Sequence, residues 1–463
     1  MTLNLSFNEF TRIPQCVVQL RSLQTLNVAH NQITAIDDLG NIDGLTYFNA
    51  SGNRLKTFPA PLLKNSHLKI LSLACNEIST IPPEIVKIST LDSLDLSTNA
   101  ISDFSAVVSC AGITELNLSH NQIVKIPKNL SSMQCLQDLN LSQNKIQEFP
   151  FDVTNFPSCR LINLAYNEIK LEKGGAMPHF ARSDSPRTTF LYNGNPELDR
   201  VVIASPGTQQ VQMPPINIRA GWAEMRGKRP DMQDAICVQF ALQGNNTQHL
   251  FGLYDGHSGS KTSLLLAKNV AHTFAAQHNA NTAPDRALYT AYQTLEKEVE
   301  VNGHSDGSTA LTIFVSAATL YIANTGDSKA VLCSAGAAID LNELDRPENE
   351  SETLRIRELG GYVTASGRVN GELGISKAVG DVSLHPFVSW EPTVTSRIIK
   401  RSDEFIIMGC DGIWDYVSSQ EAVRIVRSTL KYSDPFKSAA MLRDAAYSHG
   451  STDNISVIVI FLK

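Results

Sequence analysis

None of the eight cysteines forms a CxxC pair, so the common zinc and dithiol-redox signatures are missing. They stand at positions 16, 75, 110, 135, 159, 237, 333 and 410, most of them inside apolar patterns such as LACNE and IIMGCDG. Cysteines in that setting act as small buried hydrophobes in a reducing compartment, which makes the cytoplasm of a cell the expected location. No apolar run approaches the roughly 20 residues that cross a bilayer, so no membrane segment is expected in this chain. The opening stretch MTLNLSFNEF has neither the basic patch nor the apolar core of a signal peptide. Basic runs are also lacking and the formal net charge is −7, which argues against nucleic acid or an anionic membrane as the main partner. Hydrophobic residues are 42% and charged residues 18% of the 463. That balance excludes a disordered chain and leaves length for two or three domains.

The first 200 residues are periodic. Asparagines at 8, 31, 53, 76, 99, 121, 144 and 167 each follow an L-x-L-like pair, as in LNLSHN and LNLSQN, at intervals of 22 or 23 residues. This is the leucine-rich-repeat pattern. Each rung supplies one short strand whose leucines point inward, and the asparagine amide is placed to bridge the backbones of adjacent rungs. A rung cannot bury its apolar face alone, so the expected fold is a stacked, horseshoe-like solenoid over residues 1–200. FLYNGN, after a longer insertion, is expected to form a degenerate ninth rung and C-terminal cap. The chain starts inside a rung, TLNLSFN, with no capping segment ahead of it, so a truncated N-terminus is expected. Gln24, Asn27, Tyr47, Asn49, Ser72, Asp95, Asn117 and Asn140 lie between the strand leucines and should line a concave, polar face suited to a protein ligand.

Around 201–215 the period stops, and ASPGTQQVQMPP reads as a linker. From 216 to 463 the pattern becomes alternation. AICVQFAL, TALTIFVS, TLYIAN, KAVLCS, EFIIMGC and NISVIVIFL read as strands, with helices expected at 259–277, 284–300, 350–359, 419–431 and 436–448. Strands in clusters with helices in pairs imply an α+β sandwich rather than a parallel βαβ sheet.

Six acids in this half sit at strand ends or turns: Asp234 in RPDMQDA, Asp255 in LYDGHSG, Asp327 in ANTGDSK, Asp381 in GISKAVGD, Asp411 in GCDGIWD and Asp453 in STDNISV. One such acid is an ordinary turn residue. Six together point to a hard, oxygen-rich site for Mg²⁺ or Mn²⁺, and two such ions can activate a water and clamp a phosphate.

Those blocks, with DGSTA, occur in the order of the signature blocks of the metal-dependent protein phosphatase 2C family, which residues 216–463 closely resemble. Repeats ahead of such a domain also resemble the arrangement in the pleckstrin-homology leucine-rich-repeat phosphatases and in some fungal adenylyl cyclases. The resemblance implies two mainly antiparallel sheets flanked by helix pairs, with a binuclear metal centre at one edge. It implies that Asp255 bridges two Mg²⁺ or Mn²⁺ ions and that Gly256 offers its carbonyl to one of them. Asp411 and Asp453 would complete the other shell, and Asp234 would hold water from behind. Asp327 with Asp411 would frame a third, weaker position. Arg229 would grip the phosphate, and His257 would protonate the leaving alkoxide of phosphoserine or phosphothreonine in a protein substrate. Asp381 would be a structural acid near the site. No cysteine nucleophile is needed, and no C-x5-R segment is present.

The chain departs from the family pattern in places. Gln233 stands where glutamate is usual, which should weaken metal affinity. Lys329 and Lys377 replace arginines and are expected to act as surface charges. Arg346 stands where a histidine commonly follows the aspartate, at the start of a flap that bears on substrate choice. Gln233 leaves open a pseudophosphatase that only binds phosphopeptides. A scaffold acting on its own chain or on a small phosphorylated molecule is also open.

Overall fold

The computed structural model describes the whole chain except residues 37–38, 40–41, 43, 150–155, 157, 171–188, 192–217, 279–281, 431–433 and 463. Two compact units are present, Met1–Pro206 and Gly207–Lys463. The expected linker at 201–215 lies outside the described residues, as does the expected cap beyond Leu191.

In the first unit the repeats form nine three-residue strands: β1 (Thr2–Asn4), β2 (Thr25–Asn27), β3 (Tyr47–Asn49), β4 (Ile70–Ser72), β5 (Ser93–Asp95), β6 (Glu115–Asn117), β7 (Asp138–Asn140), β8 (Leu161–Asn163) and β9 (Thr189–Leu191). They make one parallel sheet in chain order. Register places Leu26, Phe48, Leu71, Leu94, Leu116, Leu139 and Ile162 in a single row, all of them buried.

The asparagine ladder is built as the spacing demands. Asn99 donates to Leu73 O of the preceding rung and to Leu96 O of its own, both at 3.0 Å, while its Oδ1 accepts the Ile78 N–H at 2.9 Å. Asn31, Asn53, Asn76, Asn121, Asn144 and Asn167 repeat the bond to the rung before. The turn that aims each amide inward has a conformational cost. The residue ahead of the asparagine takes a left-handed φ at Phe7, His30, Cys75, Thr98, His120, Gln143 and Tyr166, and glycine occupies the equivalent position only at Gly52. Thr98, at φ 53°, is β-branched and the least suited of these to that region. Thr98→Asn is therefore expected to stabilise the repeat unit by about 1 kcal/mol, read as a melting temperature about 2–4 °C higher. An unchanged or lower value would show that no strain is stored there.

The concave row differs from expectation. Asn27, Tyr47, Asn49 and Ser72 are buried, whereas Gln24 is exposed and Asp95, Asn117 and Asn140 are half-buried. The amide oxygens are used locally: Asn49 Oδ1 accepts from Ser51 N at 2.8 Å and Ser51 Oγ at 2.7 Å, and Asn117 and Asn140 repeat the motif with Ser119 and Ser142. A short polar side chain two residues from a backbone N–H closes an Asx turn in preference to facing solvent.

The second unit is a two-sheet sandwich. One antiparallel sheet runs β10 (Arg219–Met225), β22 (Ile455–Phe461), β21 (Asp403–Gly409), β17 (Lys329–Ser334), β18 (Ala337–Asp340). The other runs β11 (Ala235–Gln239), β12 (Gln248–Tyr254), β15 (Ala310–Ser316), β16 (Thr319–Thr325), β20 (Thr393–Ile398). A small third sheet joins β13 (Gly256–His257), β14 (Gly307–Ser308) and β19 (Val379–Gly380). Helices α1 (Lys261–Gln277) and α2 (Pro284–Val301) pack together and cover the second sheet. Helices α3 (Glu350–Glu358) and the one-turn α4 (Asp411–Trp414) lead to α5 (Ser419–Thr429) and α6 (Pro435–Ser448), which cover the first. The five expected helices and six expected strands are present; β10, β13, β14, β18, β19, β20 and the one-turn α4 were not read from the pattern. β10, RAGWAEM, has few β-formers and is held by β22 along its whole length. Its Gly221 lets α6 approach so closely that a Cβ there would lie 2.1 Å from Phe436 N.

Candidate active site

Buried apolar β12 ends just before Asp255, and the chain bends at once into β13. The backbone at this bend is held from both sides. Asp255 N–H donates to Thr309 Oγ1 at 3.1 Å, and Asp255 O accepts from Thr309 N at 2.9 Å and Ser308 Oγ at 3.2 Å. Thr309 Oγ1 also lies 2.8 Å from Ser328 Oγ, which links the DGSTA and GDSK blocks beside the Asp327 turn. Gly256 is required by crowding. A Cβ there would sit 2.2 Å from Gln233 O and 2.8 Å from Ser263 Oγ.

The small sheet decides the place of the histidine. Pairing of His257 with Gly307, and of Gly307 with Gly380, brings His257 Nε2 to 2.5 Å from Asp381 Oδ2. The two residues are 124 apart in sequence, and no local spacing signals the pair. The hydrogen-bonding partner of Asp381, expected as a structural acid near the site, is thus His257.

The other acids arrive from the first sheet and the turn before β22. Asp411 opens α4 after β21. Asp255, Cys410 and Asp411 bring ligand atoms within 4.8 Å of one another, so Cys410, expected as a small buried hydrophobe, joins the cluster. Its sulfur accepts the Ser456 N–H at 3.1 Å, and burial followed by three neighbouring carboxylates pushes its thiol far up, which keeps it protonated and unreactive. Asp453 Oδ2 is paired with Arg229 Nη2 at 2.5 Å. The arginine expected to hold a phosphate therefore also supplies counter-charge to an expected ligand. Asn454, not singled out from sequence, fixes the RPDMQ segment: its Oδ1 accepts Gln233 N–H at 2.6 Å, and its amide donates to Arg226 O at 2.9 Å and Asp231 O at 3.0 Å.

Asp327 faces Arg346 at 3.6 Å, and Arg346 also reaches Asp415 at 3.3 Å. Arg346, noted only as a departure, is therefore the guanidinium beside the expected third position. Lys329 and Lys377 are not free surface charges. Lys377 pairs with Asp345 at 3.0 Å, and Lys329 donates to Ser419 Oγ at 2.9 Å with its ammonium 4.7 Å from the centre of the Trp414 ring. An ammonium above an indole face is a favourable cation–π contact. Asp345 accepts the Gly326 N–H at 3.0 Å and so ties the start of the flap to the Asp327 turn.

Electrostatics show what these acids require. Burial, then Asp234, Asp411, Asp327 and Asp453, drive the Asp255 carboxyl well above the usual carboxylate range. Burial followed by Asp327 and Asp453 pushes Asp411 up to about 7. Asp234 is 3% exposed, and neither of its oxygens accepts a well-formed hydrogen bond. Burial raises it to about 6, against a downward pull from nearby Ser456 and Cys410. Asp327 is raised by burial and lowered by Arg346. Asp234, Asp255 and Asp411, whose ionisation burial and the neighbouring acids oppose, stand with Asp327 and Asp453 as a donor set that fits hard divalent cations.

The family model for Protein phosphatase 2C matches residues 218–455. The chain belongs to the protein phosphatase 2C family. The Leucine rich repeat model matches residues 1–55, 66–123 and 111–169, so the phosphatase 2C domain follows a repeat array. Probable protein phosphatase 2C 7 of Oryza sativa subsp. japonica is 36% identical over 247 residues, which are 52% of this chain and 64% of that protein. Probable protein phosphatase 2C member 13, mitochondrial, of the same species is 35% identical over 249 residues, 52% of this chain and 68% of that protein. The chain thus spans about two thirds of the length of these curated relatives. The solved structure of a C. elegans sex determining protein superposes with TM-score 0.51 and 23% identity over 58% of this chain and 71% of that one, a likeness of fold alone. Among the described residues, no helix is long and apolar enough to cross a membrane.

Proposed function

We propose that the phosphatase 2C domain is a Mg²⁺- or Mn²⁺-dependent protein serine/threonine phosphatase, and that the leucine-rich repeats bind a protein ligand that directs it to substrates. The convergence of Asp255 and Asp411 within 4.8 Å, in a cluster of mutually repelling carboxylates, carries this reading. Asp255, with the Gly256 carbonyl, Asp411 and Asp453, would hold two ions, while Asp234 and Asp327 would support them from around the site. When bound, the ions supply an activated water and neutralise the phosphoryl oxygens.

The remaining work falls to the chain's own side chains. Arg229 Nη2, already among the acids through Asp453, offers the fork that grips a phosphate. His257 delivers a proton to the leaving serine or threonine oxygen, and Asp381 holds the ring in position through the 2.5 Å contact to Nε2. The raised thiol of Cys410 fits a reaction without a cysteine nucleophile. Free cysteines throughout the chain support an intracellular, cytoplasmic setting.

Hydrolysis of a phosphothreonine peptide by the full chain, with and without Mn²⁺, tests the proposal. Metal-dependent turnover supports it. Phosphopeptide binding without turnover, with activity restored by Gln233→Glu, would favour the binding-only alternative that Gln233 suggests.

A further inference from the structure

Helix α2 buries Leu288, Ala291, Tyr292, Leu295 and Val299, and within that stripe it also buries an acid, Glu296, which is 3% exposed. Glu296 Oε2 accepts the Gly380 N–H at 2.8 Å. Its Oε1 is buried, accepts no hydrogen bond and lies 3.5 Å from His385 Nε2. Glu300 stands one turn further along the same face and is exposed. Ligand atoms of Glu296, Glu300 and His385 come within 4.8 Å of one another. We propose that these three residues form a second divalent-cation site, separate from the aspartate cluster and suited to zinc.

The chemistry favours this ion class. Two carboxylates and one imidazole satisfy Zn²⁺ with water as fourth ligand, whereas Mg²⁺ and Ca²⁺ favour oxygen donors throughout. Ligand atoms around a tetrahedral zinc stand about 3.3 Å apart, so the cluster needs only a small closure, and exposed Glu300 is the arm able to make it. Burial raises the Glu296 carboxyl to about 7 against the pull of the Gly380 N–H, and the other charges acting on it, Glu300 and Asp381, are both negative. A cation removes that conflict.

The site is also wired to the catalytic histidine. His385 Nε2 lies 3.1 Å from Gly380 O, and a metal bound at that nitrogen displaces the contact. Gly380 precedes Asp381, the partner of His257. Zinc occupancy therefore adjusts the segment that positions the catalytic histidine, and the site acts as a zinc-responsive regulator.

Zinc bound per full-length chain, measured in millimolar Mg²⁺ with a competing chelator, tests this. The parent protein and Asp255→Asn should both retain the additional zinc ion, whereas Glu300→Gln and His385→Gln should bind it roughly 10–100-fold more weakly or not at all. Equal zinc binding by the parent and Glu300→Gln would overturn the proposal. Glu300 is solvent-exposed, so that variant remains decisive if His385→Gln fails to fold. Zinc held adventitiously elsewhere would be unaffected by either substitution, which also counts against the site.

Discussion

Asp255→Asn is expected to abolish hydrolysis, by about 10³-fold or more, and at the same time to raise the melting temperature of the metal-free protein. Both effects have one cause. Asp255 is placed where burial and four other carboxylates oppose its charge, an arrangement useful only to a cation. Asparagine keeps the shape and removes the conflict. A carboxyl with a raised folded pKa contributes fully where folded and unfolded chains are both protonated, below about pH 4. That contribution is lost as the pH rises, because the unfolded chain ionises freely and the folded one resists. The melting-temperature gain of Asp255→Asn should therefore be absent near pH 4 and widen towards pH 7 and above. Relief of an uncompensated buried group is worth about 1–3 kcal/mol, or about 3–8 °C here. Saturating Mn²⁺ should cancel or reverse the gain, since the parent protein then has its counter-ions. Equal melting of the two metal-free proteins from pH 4 to pH 8 would contradict this account. It is the stability–activity trade-off expected of a charged site.

His257→Gln should lose about 10²–10⁴-fold on a phosphothreonine peptide but roughly tenfold or less on an aryl phosphate. An alkoxide is a poor leaving group and needs a proton, whereas a nitrophenolate leaves without one. Asp381→Asn should follow the same pattern to a smaller degree, because it loosens the ring that His257 presents without removing the acid. A purely structural role for either residue would depress both substrates equally, and that result would remove the proton-donor assignment. Comparing kcat for the two substrate classes distinguishes these outcomes without reliance on the absolute rate.

The solenoid was legible because its signal is local and repeated. One asparagine every 22 or 23 residues states where each rung turns, and the backbones of its own and the preceding rung are the partners the amide needs. The sandwich was legible where strands are runs of β-formers, as in NISVIVIFL. It was not legible in RAGWAEM, whose strand conformation is imposed by β22 and the closeness of α6. The acids expected at strand ends could be named one by one from their glycine-flanked turns, and the structure brings Asp255 and Asp411 together.

Pairings between distant segments were beyond the sequence. Asp381 reaches His257 only because three two-residue strands join across 124 residues. Arg229 turns to Asp453, 224 residues away, and Arg346 finds Asp327 and Asp415. Glu296 reads as an ordinary helical acid until the fold buries it against Gly380 and His385. Local pattern alone determined the repeat array, the strands and helices rich in their own formers, and the identity of the acids, since hydrophobic period and turn chemistry act over a few residues. Tertiary structure alone decided which charges face one another and which are left uncompensated. Burial and Coulomb interactions depend on distance in space, and distance along the chain carries almost no information about it.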